Sequence, residues 1–379
     1  MDELLTEEQK MLKEMAARFA REEVAPAATK NDREAIFPTD IIRKAADLGL
    51  MGIAYPQEYG GGGMDFVSYV LAIEEISRYC ASTGVILSAH SSLATDPIYR
   101  FGSEDQKRRY LPELCSGKKI GCFCLTEAGA GSDAGATKTT ARCAGDSWIL
   151  NGTKRFITNG REAEIAVVFA STDPAAKTKG ITAYIIEKEF PGYSVGKCEH
   201  KLGIRASSTA EIHMEDCIVP RANVLGEVNK GFKVAMTTLD GGRLGIAAQA
   251  LGIARASIED AVRYARERKQ FDQSVSSFQG IQWMLADMQM EYEAAWLLTY
   301  RASVLKDRKL PYSAAAATAK LKASETAMFC AAKSIQIHGG YGYIEDFPVE
   351  RYYRDAKITE IYEGTSEIMR HIIAGAMLK

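Results

Sequence analysis

The hydrophobic period of this chain changes twice, and that change constrains the fold more than any single motif. From Met1 to about Gly117 apolar residues recur every three or four positions, as at Leu12, Met15 and Phe19, which is helix spacing. From about Ile120 to Gly226 the pattern breaks into short runs rich in Val, Ile, Thr and Tyr, separated by turn residues. Helix spacing returns after Gly231, through Leu244, Ala247, Leu251, Ala254 and Ile258, then Ile281, Leu285, Met288 and Tyr292. A third helix is expected from about Ala314 to Ile337, and a last one from about Thr365-Ser366. The expected fold is α+β: an N-terminal all-α domain at 1–119, a central antiparallel β-barrel or sandwich at 120–228, and a C-terminal four-helix bundle at 229–379. A chain of 379 residues is too long for one ordinary core, so several domains are expected.

Local signals sharpen this outline. Thr6 with Gln9 three residues on reads as a capping box. A helix is expected from Pro38-Thr39 to Gly49, and another from Phe66 to Tyr79. Tyr59 to Gly63 carries four glycines and must be loop; no strand precedes it, so it is no dinucleotide fingerprint. Asn151-Gly152 and Asn159-Gly160 read as hairpin turns. Ile165–Phe169 and Ile181–Ile186 read as strands.

Composition excludes several classes of function. A net charge of -2 with 25% charged residues gives no strongly basic footprint for nucleic acid. No apolar run reaches the roughly 18–20 residues that span a bilayer, so membrane insertion is not expected. The N-terminus, Met1-Asp2-Glu3-Leu4-Leu5-Thr6, lacks the basic start of a signal peptide. A cytoplasmic protein is expected, or one of the mitochondrial matrix where a transit peptide has been removed. The eight cysteines form no CxxC pair and read as buried free thiols. None of the five histidines is spaced as HExxH, and no metal is expected.

Four segments could carry chemistry. Leu125-Thr126-Glu127-Ala128-Gly129-Ala130-Gly131-Ser132-Asp133 falls where helix gives way to strand. It suits a heterocycle edge or a phosphate, and equally a tight interdomain turn. Gln336-Ile337-His338-Gly339-Gly340-Tyr341-Gly342 ends a helix; Gly339 can cap it, but three glycines exceed what a cap needs. Ile361-Tyr362-Glu363-Gly364-Thr365-Ser366-Glu367 sets a carboxylate before a glycine and a helix start. Glu363 is either a helix-terminal charge or a general base. Asp240-Gly241-Gly242-Arg243 is followed by Arg268-Lys269-Gln270-Phe271, with Arg243 and Arg268 expected at opposite ends of one helix, either solvated or holding an extended anion.

These elements, in this order, resemble the acyl-CoA dehydrogenase family over essentially the whole chain, in particular its short-chain, butyryl-CoA dehydrogenase-like branch. The stretches from Cys124 to Asp133 and from Gln336 to Gly342 are similar to its two signatures, and Tyr55 to Asp65 to its N-terminal loop. The resemblance implies FAD. It implies cofactor contacts from Phe123, Leu125, Thr126, Gly131, Ser132, Phe156, Ile157 and Thr158, and from Arg268, Phe271 and Gln279 on the pyrophosphate side. Gln336, Gly339, Gly340, Thr365 and Glu367 complete that set, the glycine segment reaching it from a neighbouring subunit. Ser132, Asp240, Arg243, Tyr362 and Gly364 are implied at the acyl-CoA. Phe156 departs from the tryptophan common at that position but stays aromatic. Most members carry the base where Glu363 stands; some carry it at the position of Gly242, which glycine cannot serve. The implied reaction is α,β-dehydrogenation of an acyl-CoA to the 2-enoyl-CoA, with Glu363 taking the α-proton and flavin N5 the β-hydride. Electrons pass to an electron-transfer flavoprotein, and the assembly is a homotetramer, a dimer of dimers.

The acyl group is expected to be short and straight, with a 2-branched or alicyclic chain as the alternative. An oxidase or monooxygenase on the same fold, and a catalytically silent acyl-CoA-binding protein, are the rival functions. Asp96 has two readings: a cap for a helix continuing through Pro97, or a carboxylate that narrows or polarises the acyl cavity. In the second case burial demands a donor partner or a proton.

Overall fold

The structure, a computed structural model, describes residues 1–378. Helix α1 (Glu7–Phe19) opens on the expected capping box. Gln9 N–H donates to Thr6 Oγ1 at 3.2 Å and Thr6 N–H to Gln9 Oε1 at 3.0 Å. Helices α2 (Ala25–Glu34) and α3 (Thr39–Asp47) follow, then the glycine loop and α4 (Phe66–Tyr79), α5 (Ala81–Ser88), α6 (Asp96–Phe101) and α7 (Glu104–Cys115). A wider π-type turn over Ala89–Thr95 joins α5 to α6; such turns are frequent at functional sites because they displace the helix wall. His90 in this turn ties the helices to the sheet. Its Nδ1 accepts from Gly121 N–H at 3.0 Å, so Nε2 carries the proton and meets Leu114 O at 3.0 Å. Burial lowers its pKa to about 4.

The sheet comprises β1 (Gly121–Cys124), β2 (Thr140–Ala144), β3 (Ser147–Thr158), β4 (Ile165–Ser171), β5 (Ile181–Glu187), β6 (Tyr193–Cys198), β7 (Thr209–Pro220) and β8 (Val224–Leu225). Its order is β6-β7-β3-β2-β4-β5-β8, with β1 beside β4. The pairing is antiparallel except that β1 runs parallel to β4 and β2 touches β4 in parallel at Thr140 and Ser171. β1 enters straight from the helical segment, so no hairpin joins it to its partner. Strands β4 and β5 are buried on both faces, which explains their unbroken apolar runs.

The hairpin expected at Asn151-Gly152 does not form. β3 runs through it with a bulge between Leu150 and Gly152. Asn151 instead braces β7, accepting from Asp216 N–H at 2.8 Å and donating to Asp216 Oδ1 at 3.0 Å. A Cβ on Gly152 would strike Thr139, so the glycine serves close packing. The hairpin lies six residues earlier, at Gly145-Asp146, where Ala144 faces Ser147 and Gly145 has φ 62°. Asn159-Gly160 does turn the chain, with Asn159 at φ 63°, but β3 and β4 are not neighbours.

The C-terminal segment holds α8 (Gly231–Glu267), a small β9 (Lys269–Gln270) and β10 (Gln273–Ser274) hairpin, α9 (Gln279–Asp307), α10 (Ser313–His338), α11 (Val349–Thr359) and α12 (Ser366–Met377). Helix α11 was not expected. Its inward positions include charged Arg351 and Asp355, both buried, which hides the apolar period. Arg243 lies well inside α8, not at its end, while Arg268 is its C-cap. The two helical segments share one core: Leu12, Phe19, Ile73 and Ile76 belong to the same cluster as Leu244, Leu251, Met288 and Trp296. Six of the eight cysteines are buried thiols; Cys143 is exposed and Cys198 half-buried.

Candidate active site

A cavity of about 1060 Å³ opens where the sheet meets the two helical segments. Its apolar floor and walls come from Val85 on α5, Ala89 and Leu93 in the π-type turn, from Phe232, Met236 and Leu239 on α8, and from Ile361 before α12 and Ile368 in its first turn. Nothing but ordinary core spacing marks these residues in the sequence. The cavity brings together Phe123, Leu125, Thr126, Gly131, Ser132, Phe156, Ile157, Thr158, Arg243, Tyr362, Glu363, Gly364 and Thr365. These sequence candidates come from four separate stretches of the chain.

Other candidates lie elsewhere. Arg268, Phe271, Gln279, Gln336, Gly339 and Gly340 are all exposed at one end of the bundle, with the Arg268 guanidinium 5.5 Å from the Tyr341 ring. They do not line the cavity of their own chain. Glu367 points to solvent from the first turn of α12. Asp240 stands behind Arg243, paired to it at 2.5 Å and accepting from Ser313 Oγ at 2.9 Å. Gly339 does cap α10.

The loop from Leu125 to Asp133 is built on a buried ion pair. Lys154, fully buried on β3, meets Glu127 at 2.7 Å and donates to Leu125 O at 3.1 Å. Glu127 also accepts from the N–H groups of Lys138 at 2.7 Å and Thr139 at 3.0 Å. Burial acts to raise the Glu127 pKa, but Lys154 and these donors prevail and hold it near 2. Glu127 is thus an anchor, which leaves Thr126, Gly131 and Ser132 turned to the cavity. Nothing lies within 4 Å of a Cβ built on Gly129 or Gly131, so the backbone there is open to a ligand. The Phe156 ring, at φ 58° and 60% exposed, stands at the same wall. An open glycine backbone, an exposed aromatic and the hydroxyls of Thr126, Ser132 and Thr158 fit a flat heterocycle carrying a polar tail, as in FAD.

Opposite that wall the turn between α11 and α12 presents Glu363. The residue has φ 54° and Gly364 φ 103°. Left-handed geometry is unfavourable for glutamate, so the surrounding contacts must enforce it. Arg243 Nε reaches Glu363 O at 3.4 Å, Lys320 Nζ donates to Gly364 O at 2.7 Å, and Tyr362 donates its hydroxyl to Gln249. Thr365 caps α12, accepting from Ile368 N–H at 3.3 Å. The Glu363 Oε2 is buried without a hydrogen-bond partner. Burial raises its pKa to about 8, against the opposing pull of Lys320 and then Arg243. An unpaired carboxylate with a pKa near neutrality, facing an apolar cavity, is equipped to take a proton from a weak acid. Lys320 and Gln249 are not among the sequence candidates; Gln249 is a lone polar residue in a small-residue helical stretch, a weak sign of a buried partner, whereas Lys320, with Thr318 and Lys322 beside it, reads as an ordinary helix lysine.

Asp96 fits neither of its two readings. It has helical geometry (φ -57°) within a continuous helical run, so it caps nothing. It is buried and does not line the cavity. Its carboxylate is paired by charge with Lys306 at 3.5 Å and Arg100 at 3.6 Å, while Asp96 Oδ2 and Lys306 Nζ make no hydrogen bond.

Known proteins align with this architecture throughout. The N-terminal, middle and C-terminal domain models of acyl-CoA dehydrogenase match residues 6–118, 122–217 and 229–378. The mitochondrial short-chain specific acyl-CoA dehydrogenase of Mus musculus is 53% identical over 99% of this chain and 91% of its own length. The butyryl-CoA dehydrogenase structure from Megasphaera elsdenii superposes with a TM-score of 0.98 at 46% identity, covering 99% of both chains. A solved chain from work on the electron transferring flavoprotein of Acidaminococcus fermentans superposes with a TM-score of 0.98 at 51% identity, again over 99% of both. Matches of this extent, on a cavity with an open cofactor wall facing a buried carboxylate, leave one assignment: the chain belongs to the acyl-CoA dehydrogenase family of FAD-dependent oxidoreductases.

Proposed function

We propose that this chain dehydrogenates a short, straight acyl-CoA such as butyryl-CoA to its trans-2-enoyl-CoA, with Glu363 as the α-proton base. The observation that carries the reading is the Glu363 Oε2, buried, unpaired and turned to an apolar cavity. The residues of the opposite wall, Phe123 to Ser132 and Phe156 to Thr158, would hold the FAD ring system. FAD, when bound, supplies the acceptor for the two electrons and the hydrogen leaving Cβ.

The protein's own part is position and charge. Arg243 and Lys320 hold the two carbonyls of the Glu363–Gly364 turn, leaving the Glu363 N–H to donate to the thioester oxygen as negative charge builds there. Ser132, Arg243, Tyr362 and Gly364 surround the same end of the cavity and would seat the thioester, with Asp240 acting behind Arg243. Substrate entry expels water, which favours a carboxylate matched to a weak carbon acid. Apolar walls at Leu93, Phe232, Met236 and Leu239 suit an unsubstituted acyl chain.

The exposed set Arg268, Phe271, Gln279, Gln336, Gly339 and Gly340 would serve the cofactor of a neighbouring subunit, in a homotetramer built as a dimer of dimers. On this reading segments 1–119 and 229–379 supply the acyl pocket and base, and 120–228 the flavin wall. Electron-transfer flavoprotein is the acceptor, and the compartment is the cytoplasm, or the mitochondrial matrix after transit-peptide removal. Anaerobic bleaching of the purified protein with linear, branched and cyclic acyl-CoAs tests the reading: butyryl-CoA should reduce the flavin fastest, and bleaching by branched or cyclic chains alone would overturn the substrate assignment.

A further inference from the structure

Lysine is rarely buried without a partner that repays its desolvation. Lys320 sits two turns into α10 within an alanine-rich stretch, fully buried. Its ammonium is held by a backbone carbonyl, Gly364 O at 2.7 Å. That carbonyl belongs to the residue after Glu363, in a turn where two consecutive residues have positive φ. The preceding carbonyl, Glu363 O, is met by Arg243 Nε at 3.4 Å. Two buried cations from two different helices, α8 and α10, therefore hold two successive carbonyls of the one turn that carries the base. A hydrogen bond from a charged donor is stronger than a neutral one and sets geometry more firmly.

The charges around Lys320 are Glu363, Glu360 and Glu367, from the segment running from the end of α11 into α12, and Arg243 from α8. Burial lowers the Lys320 pKa to about 8, with Glu363 opposing that shift most and Arg243 adding to it. In the other direction Lys320 is the foremost influence holding the Glu363 carboxyl below the value that burial alone would set. The ammonium thus faces the turn twice, through its hydrogen bond and through its field.

We propose that Lys320 is a positioning residue for the α-proton base: its bond to Gly364 O fixes the Glu363–Gly364 turn, and its charge keeps the Glu363 carboxylate ionisable in an apolar cavity. The proposal rests on Glu363 being the base. It differs from a structural role because it ties the ammonium to one carboxylate's ionisation, which stability alone would not report.

The test uses holoenzyme with Lys320→Met, Lys320→Gln and Lys320→Arg. It follows anaerobic flavin reduction by butyryl-CoA across pH, FAD content, and the infrared band of the protonated Glu363 carboxyl, identified by its disappearance in Glu363→Gln. Lys320→Met should keep FAD and lose reduction rate by about 10- to 100-fold, the range for a misplaced reacting group. Its rate profile and its carboxyl band should both move to higher pH, because the base has lost a stabilising cation. Lys320→Gln, which retains a donor without charge, should recover part of the rate and none of the pH shift; Lys320→Arg should recover the shift. A Lys320→Met protein that melts earlier but keeps the wild-type rate and carboxyl titration would overturn the proposal. Should that variant fail to fold, an unshifted carboxyl band in Lys320→Gln overturns it equally. Wild-type flavin reduction by Glu363→Gln would instead reject Glu363 as base, while the infrared shift would still report the action of Lys320.

Discussion

Gly242 on α8 lies directly against the carboxylate of Glu363: a Cβ built on Gly242 would overlap Glu363 Oε2 and come within 2.6 Å of Leu93 Cδ2. The two positions at which family members are expected to carry their base, far apart in sequence, therefore converge on one point of the cavity. A carboxylate at one of them requires a small residue at the other. Gly242→Ala should accordingly displace Glu363 and cut anaerobic flavin reduction by about 10- to 100-fold, with FAD content unchanged. Stopped-flow reduction at the wild-type rate would show that the carboxylate has room to spare.

Glu363→Gln removes the base while keeping its size. Flavin reduction should fall by about 10²- to 10⁴-fold or more, with FAD and acyl-CoA still bound. The same change should stabilise the fold, and the sign follows from linkage. The Glu363 pKa is about 8 in the folded chain and near 4.5 as an ordinary carboxyl, so the unfolded chain ionises first. Ionisation of the unfolded state costs the native protein nothing below pH 4.5, progressively more up to pH 8, and a constant amount above. Melting in pH steps should show no difference between the two proteins at pH 4 and a gain for Glu363→Gln on the order of 1–3 kcal/mol at pH 7. A gain confined to acid pH would contradict the raised pKa.

Much of this was legible in the sequence because the signals were local. Thr6 with Gln9, the limits of α4 at Phe66 and Tyr79, and the twofold change of period needed only neighbours along the chain. The glycine stretches and Glu363 stood out because a glycine run or an isolated carboxylate is costly without a reason. What stayed hidden depended on distant partners. Asn151-Gly152 has turn chemistry, yet Asp216 and the crowding at Thr139 draw it into a bulged strand. Helix α11 disguised its inner face because Arg351 and Asp355 are buried there. Lys320 looked like any helix lysine until Gly364 O was found above it.

Asp96→Asn separates structure from specificity. Lys306 is half-buried and packs its buried ammonium 3.5 Å from the Phe66 ring centroid, with Asp96 opposing the lowering of its pKa by burial. Removing the Asp96 charge strands that cation, and breaking a buried pair typically costs about 3–5 kcal/mol. The thermal midpoint should fall clearly. The ranking of acyl-CoA substrates should not change, because Asp96 lies outside the cavity lining. A reordered substrate panel at unaltered stability would restore a role in selecting the acyl chain.

The exposed end of the bundle makes the last prediction. Phe271 is 87% exposed and Tyr343 86%, beside the equally exposed Arg268, Gln279 and Gln336. Large apolar side chains clustered at a surface mark an interaction site, and polar groups among them that serve no cavity of their own chain need a recipient. On the proposed function a second copy would supply both: the apolar rings would bury against it, and the polar groups would reach its cofactor. Light scattering should therefore give a tetramer, and each flavin should depend on two chains. Tyr343→Asp introduces a charge at that contact while leaving Glu363, the cavity walls and the proposed cofactor residues intact. The variant should sediment as a smaller species and lose FAD on gel filtration, with far-ultraviolet dichroism unchanged. Loss of the tetramer together with loss of FAD fits a site shared between subunits. A monomer that keeps one FAD per chain through the column would show that each chain completes its own cofactor site and that the exposed rings serve some other contact.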